Sequence, residues 1–254
     1  MNLKVKYLLL EDRGKKHLVR PGESLGTDRG VFEIPQQIRD GMAIRSHLGH
    51  HACLLVPDVR SYVEAMARPT RILHTEDIGF VLGIAGLREG QTVVEAGTGS
   101  GCSAMYFSQA VGPGGRVISF ERREDIHAIA QDNVRGFGCD NIELVRGDIA
   151  EGLGDLRCDL LFLDLARPRR YIELAADSVK PGGHAIIYVP FLEDGTDTFR
   201  GLTDLGFLEV RLTEIHRREF EVVAGGTRPR TAQTVHTGYI LTGRAPPTGD
   251  VPAD

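Results

Sequence analysis

Glu95, Glu121, Asp148 and Asp164 each close a short apolar or β-branched run. Directly after the first of them stands Gly97-Thr98-Gly99-Ser100-Gly101. Glycines in such a turn let the backbone press against a ligand, because no Cβ keeps it away. The spacing is G-x-G-x-G, not the G-x-G-x-x-G of dinucleotide sites, and no lysine follows, so a phosphate-cradling loop is not indicated. An acid ahead of the glycines repels a pyrophosphate and suits a cation. Glu121 can accept both hydroxyls of a ribose, as the acid after the turn does in dinucleotide folds. Asp148, next to Ile149, can accept from an adenine amino group. A ligand with an adenosine, an amino group and a sulfonium, S-adenosylmethionine, meets all these donors and acceptors. Cys102 follows the loop where a small residue is wanted, and nothing marks it as a nucleophile.

These carboxylates need strands to hold them. Candidate strands are Thr92 to Glu95, Arg116 to Phe120, Ile142 to Arg146, Leu160 to Leu163 and Ala185 to Val189. Helical stretches such as Cys102 to Val111, Glu124 to Phe137 and Arg170 to Lys180 lie between most of them, which argues for βαβ units and a parallel sheet. In such sheets ligands sit beyond the carboxyl ends of the strands, where the strand order reverses. Phe207 to Glu214 and Thr234 to Thr242, separated by a polar glycine-rich loop, predict an antiparallel hairpin at the sheet edge. Residues 1–60 differ: short β-like runs (Leu3 to Leu10, His17 to Val19, Gly30 to Glu33, Ala52 to Val56) are separated by turn signals, which suits a small β module. The expected division is a β module over 1–60, an α/β domain with a Rossmann-like sheet over 61–244, and a disordered tail over 245–254 with three prolines.

Composition excludes several classes. With 254 residues, 41% hydrophobic and 26% charged, the chain reads as a globular enzyme. A net charge of −5 means that an anionic partner must be met by local patches. The cysteines Cys53, Cys102, Cys139 and Cys158 are scattered, so neither a zinc site nor a disulfide framework is indicated. His47, His50 and His51 lack a carboxylate or cysteine at fixed spacing and read as structural, so no metal is expected. Leu8-Leu9-Leu10 is too short to span a membrane. A soluble cytoplasmic protein without membrane contact is the expectation.

The order E-A-G-T-G-S-G (95–101), acid, Gly147-Asp148, then Leu163-Asp164-Leu165 resembles the class I S-adenosylmethionine-dependent methyltransferases. More narrowly, the chain resembles the tRNA adenine-58 N1-methyltransferases of the bacterial and archaeal homo-oligomeric type. Arg68-Pro69-Thr70-Arg71-Ile72-Leu73 is similar to that family's R-P-T-Q-I-I stretch, and Val111 to Val117 and Lys180-Pro181-Gly182-Gly183 also match. Arg228-Pro229 and His236-Thr237-Gly238-Tyr239 resemble its R-P and H-T-x-F/Y elements. There are two departures. His74 and Thr75 stand where the family has tyrosine and proline, and Leu163-Asp164-Leu165-Ala166-Arg167-Pro168-Arg169 replaces L-D-x-P-x-P-W. Both are expected on the side of the target base.

The resemblance implies methyl transfer to N1 of adenine 58 in tRNA, with S-adenosylmethionine as cofactor and a homotetramer as the working form. It assigns Asp164 to the base, where the carboxylate accepts from the exocyclic amine and stabilises the charge developing there. His74 would stack on, or hydrogen-bond to, the flipped base. Glu95, Gly97, Thr98, Gly99, Ser100, Gly101, Cys102, Glu121, Asp148, Ile149 and Asp164 form the expected cofactor set. Arg167, Arg169 and Arg170, with Arg228 and Arg230, are expected at tRNA phosphates, together with the His216-Arg217-Arg218 run. Two other readings stand beside this one. The first is a class I methyltransferase acting on a protein or small molecule, such as the isoaspartyl-repair type, which leaves the β module and the late basic elements unexplained. The second is a silent tRNA-binding subunit, which would lack the cofactor motif.

Overall fold

The computed structural model describes residues 6–231 and 236–247. The chain opens with β1 (Tyr7–Glu11), β2 (Lys16–Val19), β3 (Ser24–Thr27), β4 (Gly30–Glu33), β5 (Met42–Arg45) and β6 (His51–Leu55). Four of these form an antiparallel sheet in the order β2-β1-β6-β5, and β3 and β4 pair as a separate hairpin. Alternate residues Leu9, Val19, Phe32, Ala52 and Leu54 point inward and form a core of their own. β3 and β5 escape a reading by hydrophobic runs because Ser24 and Gly26 break up β3 and β5 offers only Met42, Ala43 and Ile44 before Arg45. The register of their neighbours recruits them. Residues 3 to 5 of the first expected strand lie outside the described residues.

The chain continues through α1 (Val59–Ala65), α2 (Thr75–Ala85), β7 (Thr92–Ala96), α3 (Cys102–Val111), β8 (Arg116–Glu121), α4 (Glu124–Phe137), β9 (Ile142–Arg146), β10 (Cys158–Leu163), α5 (Ile172–Ser178) and β11 (Val179–Val189). It closes with α6 (Leu192–Asp204), β12 (Leu208–Glu214), β13 (Phe220–Val223), β14 (Gly226–Pro229) and β15 (Tyr239–Arg244). Seven strands form one sheet in the order β12-β15-β11-β10-β7-β8-β9, with β15 the only strand running against the others. The expected terminal hairpin is present as the β12–β15 pair, with its second strand starting at Tyr239 instead of Thr234; residues 234 and 235 of that expected run lie outside the described residues. The loop between its strands is not irregular throughout, since β13 and β14 form a two-stranded ribbon within it.

Because helices cover both faces of the sheet, its strands are apolar on both sides. Val94, Leu161, Leu163 and Ile187 face α5 and α6, while Val93, Val117, Leu160 and Phe162 face α2 and α3. The helix expected over Arg170 to Lys180 is shorter in the structure. A tight turn over Pro168–Tyr171 leads into α5, and Val179 leaves the helix to pair with Cys158. Tyr62 of α1 is buried against Met105 of α3 and Val134 of α4, and its hydroxyl donates to the Asn133 carbonyl at 2.9 Å. The chain remains packed past residue 244. Ala245 is buried, and its backbone pairs with Gly182 and Gly183 at 3.0 and 2.9 Å. Residues 248–254 of the expected tail lie outside the described residues.

Candidate active site

The strand order reverses between β7 and β10, whose carboxyl ends lie side by side. The Asp164 amide donates to the Ala96 carbonyl at 2.9 Å and locks the two ends together. Gly97 has φ +95°, and a Cβ on it would lie 2.2 Å from the Asp164 carbonyl oxygen. The turn glycine is therefore required by the chain itself as well as by any ligand. Gly99 (φ +53°) leaves space in which a Cβ would meet the Thr70 hydroxyl at 3.1 Å. Gly101 caps α3 in the left-handed region beside Val134.

A cavity of about 390 Å³ opens over these strand ends. Gly97, Gly99, Glu121, Asp148, Ile149 and Asp164 line it, with Thr70, Arg71, Leu165, Ala166 and Tyr171. Glu121, nearly buried at the end of β8, accepts from the Gly99 amide at 3.2 Å and the Arg123 amide at 3.0 Å. Asp148 accepts from the Ala150 amide at 2.9 Å, and the buried Ile149 forms an apolar wall. A carboxylate poised for hydroxyls, an apolar wall for a flat ring and glycines that admit close approach together fit an adenosine-bearing cofactor.

Five residues of the expected cofactor set stand behind this cavity rather than in it. Glu95 is fully buried, and its carboxylate accepts from Ser119 at 2.6 Å and from Ser103. Burial pushes its pKa up to about 7 despite both serines. Thr98 hydrogen-bonds to Ser119 at 2.6 Å, and Ser100 to Thr70 at 3.1 Å. Cys102 is buried with its thiol pushed up to about 12, the opposite of an activated nucleophile. Gly101 packs against α4. Glu95 thus ties the end of β7 to α3 and β8, and its carboxylate does not line the cavity.

A second cavity, of about 670 Å³, adjoins the first. It is lined by Arg68, Ile72, Leu73, His74, Tyr188, Pro190, His236 and Thr237, and it shares Thr70, Arg71 and Asp164 with its neighbour. Asp164 is the acidic group common to both. Burial alone raises its pKa to about 6, and no ion pair or hydrogen bond offsets that among the described residues. His74 stands at the N-cap of α2 with its ring in this second cavity, 3.9 Å from Glu76. Tyr188, at the end of β11, was not singled out by motif or spacing. Neither were Arg68 and Arg71, although they lie in the R-P-T stretch that carries the resemblance.

The two departures from the family pattern fall on different sides. His74 faces the second cavity, whereas Leu165 and Ala166 line the first. Arg169 pairs with Glu173 at 3.4 Å and lies against Gly201 of α6, so it is engaged in packing. Arg167 and Arg170 are exposed, Arg167 in the left-handed region at φ 55°. Arg228 pairs with Glu221 at 3.3 Å and Arg230 with Glu219 at 2.9 Å across the β13–β14 ribbon. Arg217 bridges from the ribbon side to Glu76 of α2 at 2.9 Å. His47 accepts from the Val31 amide at 2.8 Å, and His50 contacts Arg29 at 3.1 Å. Among the described residues no cluster of three or more metal-ligating side chains occurs, and no helix is long and apolar enough to cross a membrane.

Known proteins share both the sequence and the architecture. The family of tRNA methyltransferase complex GCD14 subunits matches residues 51–235. The tRNA (adenine(57)-N(1)/adenine(58)-N(1))-methyltransferase TrmI of Methanocaldococcus jannaschii is 35% identical over 94% of this chain and 95% of its own length. The tRNA (adenine(58)-N(1))-methyltransferase TrmI of Thermus thermophilus is 31% identical over 92% of this chain and 94% of its own. Among solved structures, a SAM-dependent O-methyltransferase from Thermotoga maritima superposes with TM-score 0.87 at 25% identity, covering 99% of this chain and 96% of that one. The tRNA (m1A58) methyltransferase TrmI of Aquifex aeolicus shares the fold, with TM-score 0.77 at 22% identity over 98% and 99% of the two chains. The protein has the class I methyltransferase fold and belongs to the GCD14 family of tRNA methyltransferase subunits.

Proposed function

We propose that this chain transfers a methyl group from S-adenosylmethionine to N1 of adenine 58 in tRNA. The observation that carries the reading is Asp164, a desolvated carboxylate shared by two adjoining cavities. The first cavity fits the cofactor: Glu121 for the ribose hydroxyls, Ile149 and Asp148 for the adenine, and Gly97 and Gly99 for the chain that bears the sulfonium. When bound there, the cofactor supplies an already activated methyl group, so the protein's own work is orientation and electrostatics.

The second cavity suits a flipped adenine. His74 and Tyr188 offer ring faces, and Asp164 offers an acceptor for the exocyclic amine. As N1 becomes bonded to carbon, that amine gains positive character. A fixed carboxylate in a dry site stabilises that charge and can take the proton. Ionised Asp164 is the working form, so with a pKa near 6 activity should rise as pH rises through that value. Arg68 and Arg71 at the rim, with exposed Arg167 and Arg170, are the phosphate contacts that offset the cost of unstacking. Arg228 and Arg230 sit in carboxylate pairs, and phosphates would have to compete with those acids. Phe220, Val222 and Val223 of the ribbon are exposed, Val222 to 82%, and a second copy of the chain would cover them, which supports a homo-oligomer.

The test is methyl transfer from labelled S-adenosylmethionine to unmodified tRNA transcripts, with the modified nucleoside identified by mass. N1-methyladenosine at position 58 is the expected product. Cofactor binding without labelling of any tRNA would overturn the assignment and favour a protein or small-molecule substrate.

A further inference from the structure

Asp77 is fully buried in the first turn of α2, three residues after His74 at its cap. Its Oδ1 accepts from the Thr237 hydroxyl at 3.1 Å, and its Oδ2 has no hydrogen-bond partner among the described residues. The Thr237 carbonyl in turn accepts from the Tyr188 hydroxyl. A Cβ at the next residue, Gly238, would lie 2.4 Å from the Tyr188 ring, so backbone and ring are in direct contact there. The line Asp77–Thr237–Tyr188 thus joins α2, the 236–238 segment and the end of β11, the elements that wall the second cavity. Asp77 also interacts with the backbone of His74 at the helix cap, a contact that an exposed first-turn acid makes as well, whereas burying the carboxylate against Thr237 costs desolvation that capping alone does not call for.

We infer that Asp77 is a positioning residue for the target base: through Thr237 it fixes the plane of Tyr188, and through α2 it holds His74 on the same cavity. The inference rests on the reading of the second cavity as a base pocket. Asp77 lines neither cavity, so it acts through Thr237 and Tyr188 and touches no substrate. Its removal should widen the base pocket and leave the cofactor cavity intact.

The experiment is a double-mutant cycle on the full chain, with kcat, KM for tRNA and cofactor Kd measured for each variant. Thr237→Val deletes the hydroxyl but keeps the carbonyl, and should lower kcat/KM for tRNA roughly threefold to thirtyfold with cofactor Kd unchanged. Thr237→Ser should restore activity. Asp77→Ala should show the same split, and combining Thr237→Val with Tyr188→Phe should cost no more than the worse single change. If Asp77→Ala does not fold, the Thr237 series decides alone. Full activity of Thr237→Val, losses that multiply with Tyr188→Phe, or an equal loss of cofactor affinity would each overturn the inference. A wild-type chain that binds cofactor and leaves tRNA unmodified would overturn the functional reading instead, and the inference with it.

Discussion

The two cavities that meet at Asp164 are built by different means. The first, proposed for the cofactor, repeats one device: the glycine turn and the ends of four neighbouring strands supply most of its walls, with Thr70, Arg71 and Tyr171 closing it. The second, proposed for the target base, is assembled from unlike elements, with His74 at the cap of α2, Tyr188 on β11 and Thr237 after the ribbon. Its geometry depends on the packing of α2 against β11 and β15. A change in the glycine turn should therefore damage both cavities, whereas a change in the distant walls should damage one.

The largest effect is expected at Gly97. Gly97→Ala must place a Cβ 2.2 Å from the Asp164 carbonyl and hold an L side chain at φ +95°. Left-handed strain of ~1–2 kcal/mol and overpacking of ~1–3 kcal/mol would act together on the β7–β10 junction. Thermal unfolding should show a lowered Tm, and calorimetry should show lost cofactor binding. Normal binding and stability in this variant would mean that the junction is softer than its contacts imply.

Tyr188→Ala should separate the two halves. Loss of a ring face in the second cavity is expected to cost about 10- to 100-fold in kcat/KM for tRNA, from ~1–3 kcal/mol of base stacking. Cofactor affinity should be retained. A parallel fall in cofactor affinity would show that the cavities are not separable.

The smallest of these effects is a pH signature at Glu95. Its folded-state pKa of about 7 lies above the ordinary value of 4.5. The folded state therefore binds the proton more tightly than the unfolded chain does. The associated stability is present below 4.5 and is lost as pH rises through about 7. In Glu95→Gln the decline of Tm between pH 5 and pH 8 should be shallower than in the wild type. An unchanged slope would mean that another group carries the dependence.

How much of this was readable in the sequence follows the same division. β9, α3 and α4 run over the residues that the sequence assigns, because α3 and α4 are ten or more residues long and all three end at a glycine. Glu121, Asp148 and Asp164 line the first cavity, as the rule that acids at strand ends face the crevice expects. The rule misplaced Glu95, the last residue but one of its strand. Alternation turns its side chain into the sheet, where Ser103 and Ser119 satisfy it. Tyr188 and Asp77 gave no local signal, since an aromatic in a buried strand and an acid in a first helical turn are ordinary. Only the pairing of β11 with β15 brings Thr237 between them. The basic runs were visible by type. Their partners Glu173, Glu219 and Glu221 became visible only once helices and ribbon had formed.

Asp164 belongs to both cavities, and its role there is best separated by measuring cofactor Kd and kcat together in Asp164→Asn. The amide keeps the shape and removes the charge. A carboxylate that stabilises the developing positive charge predicts a fall in kcat on the order of 100-fold or more, with cofactor affinity changed far less. Equal losses in turnover and in cofactor affinity would contradict that role and make Asp164 a cofactor ligand alone.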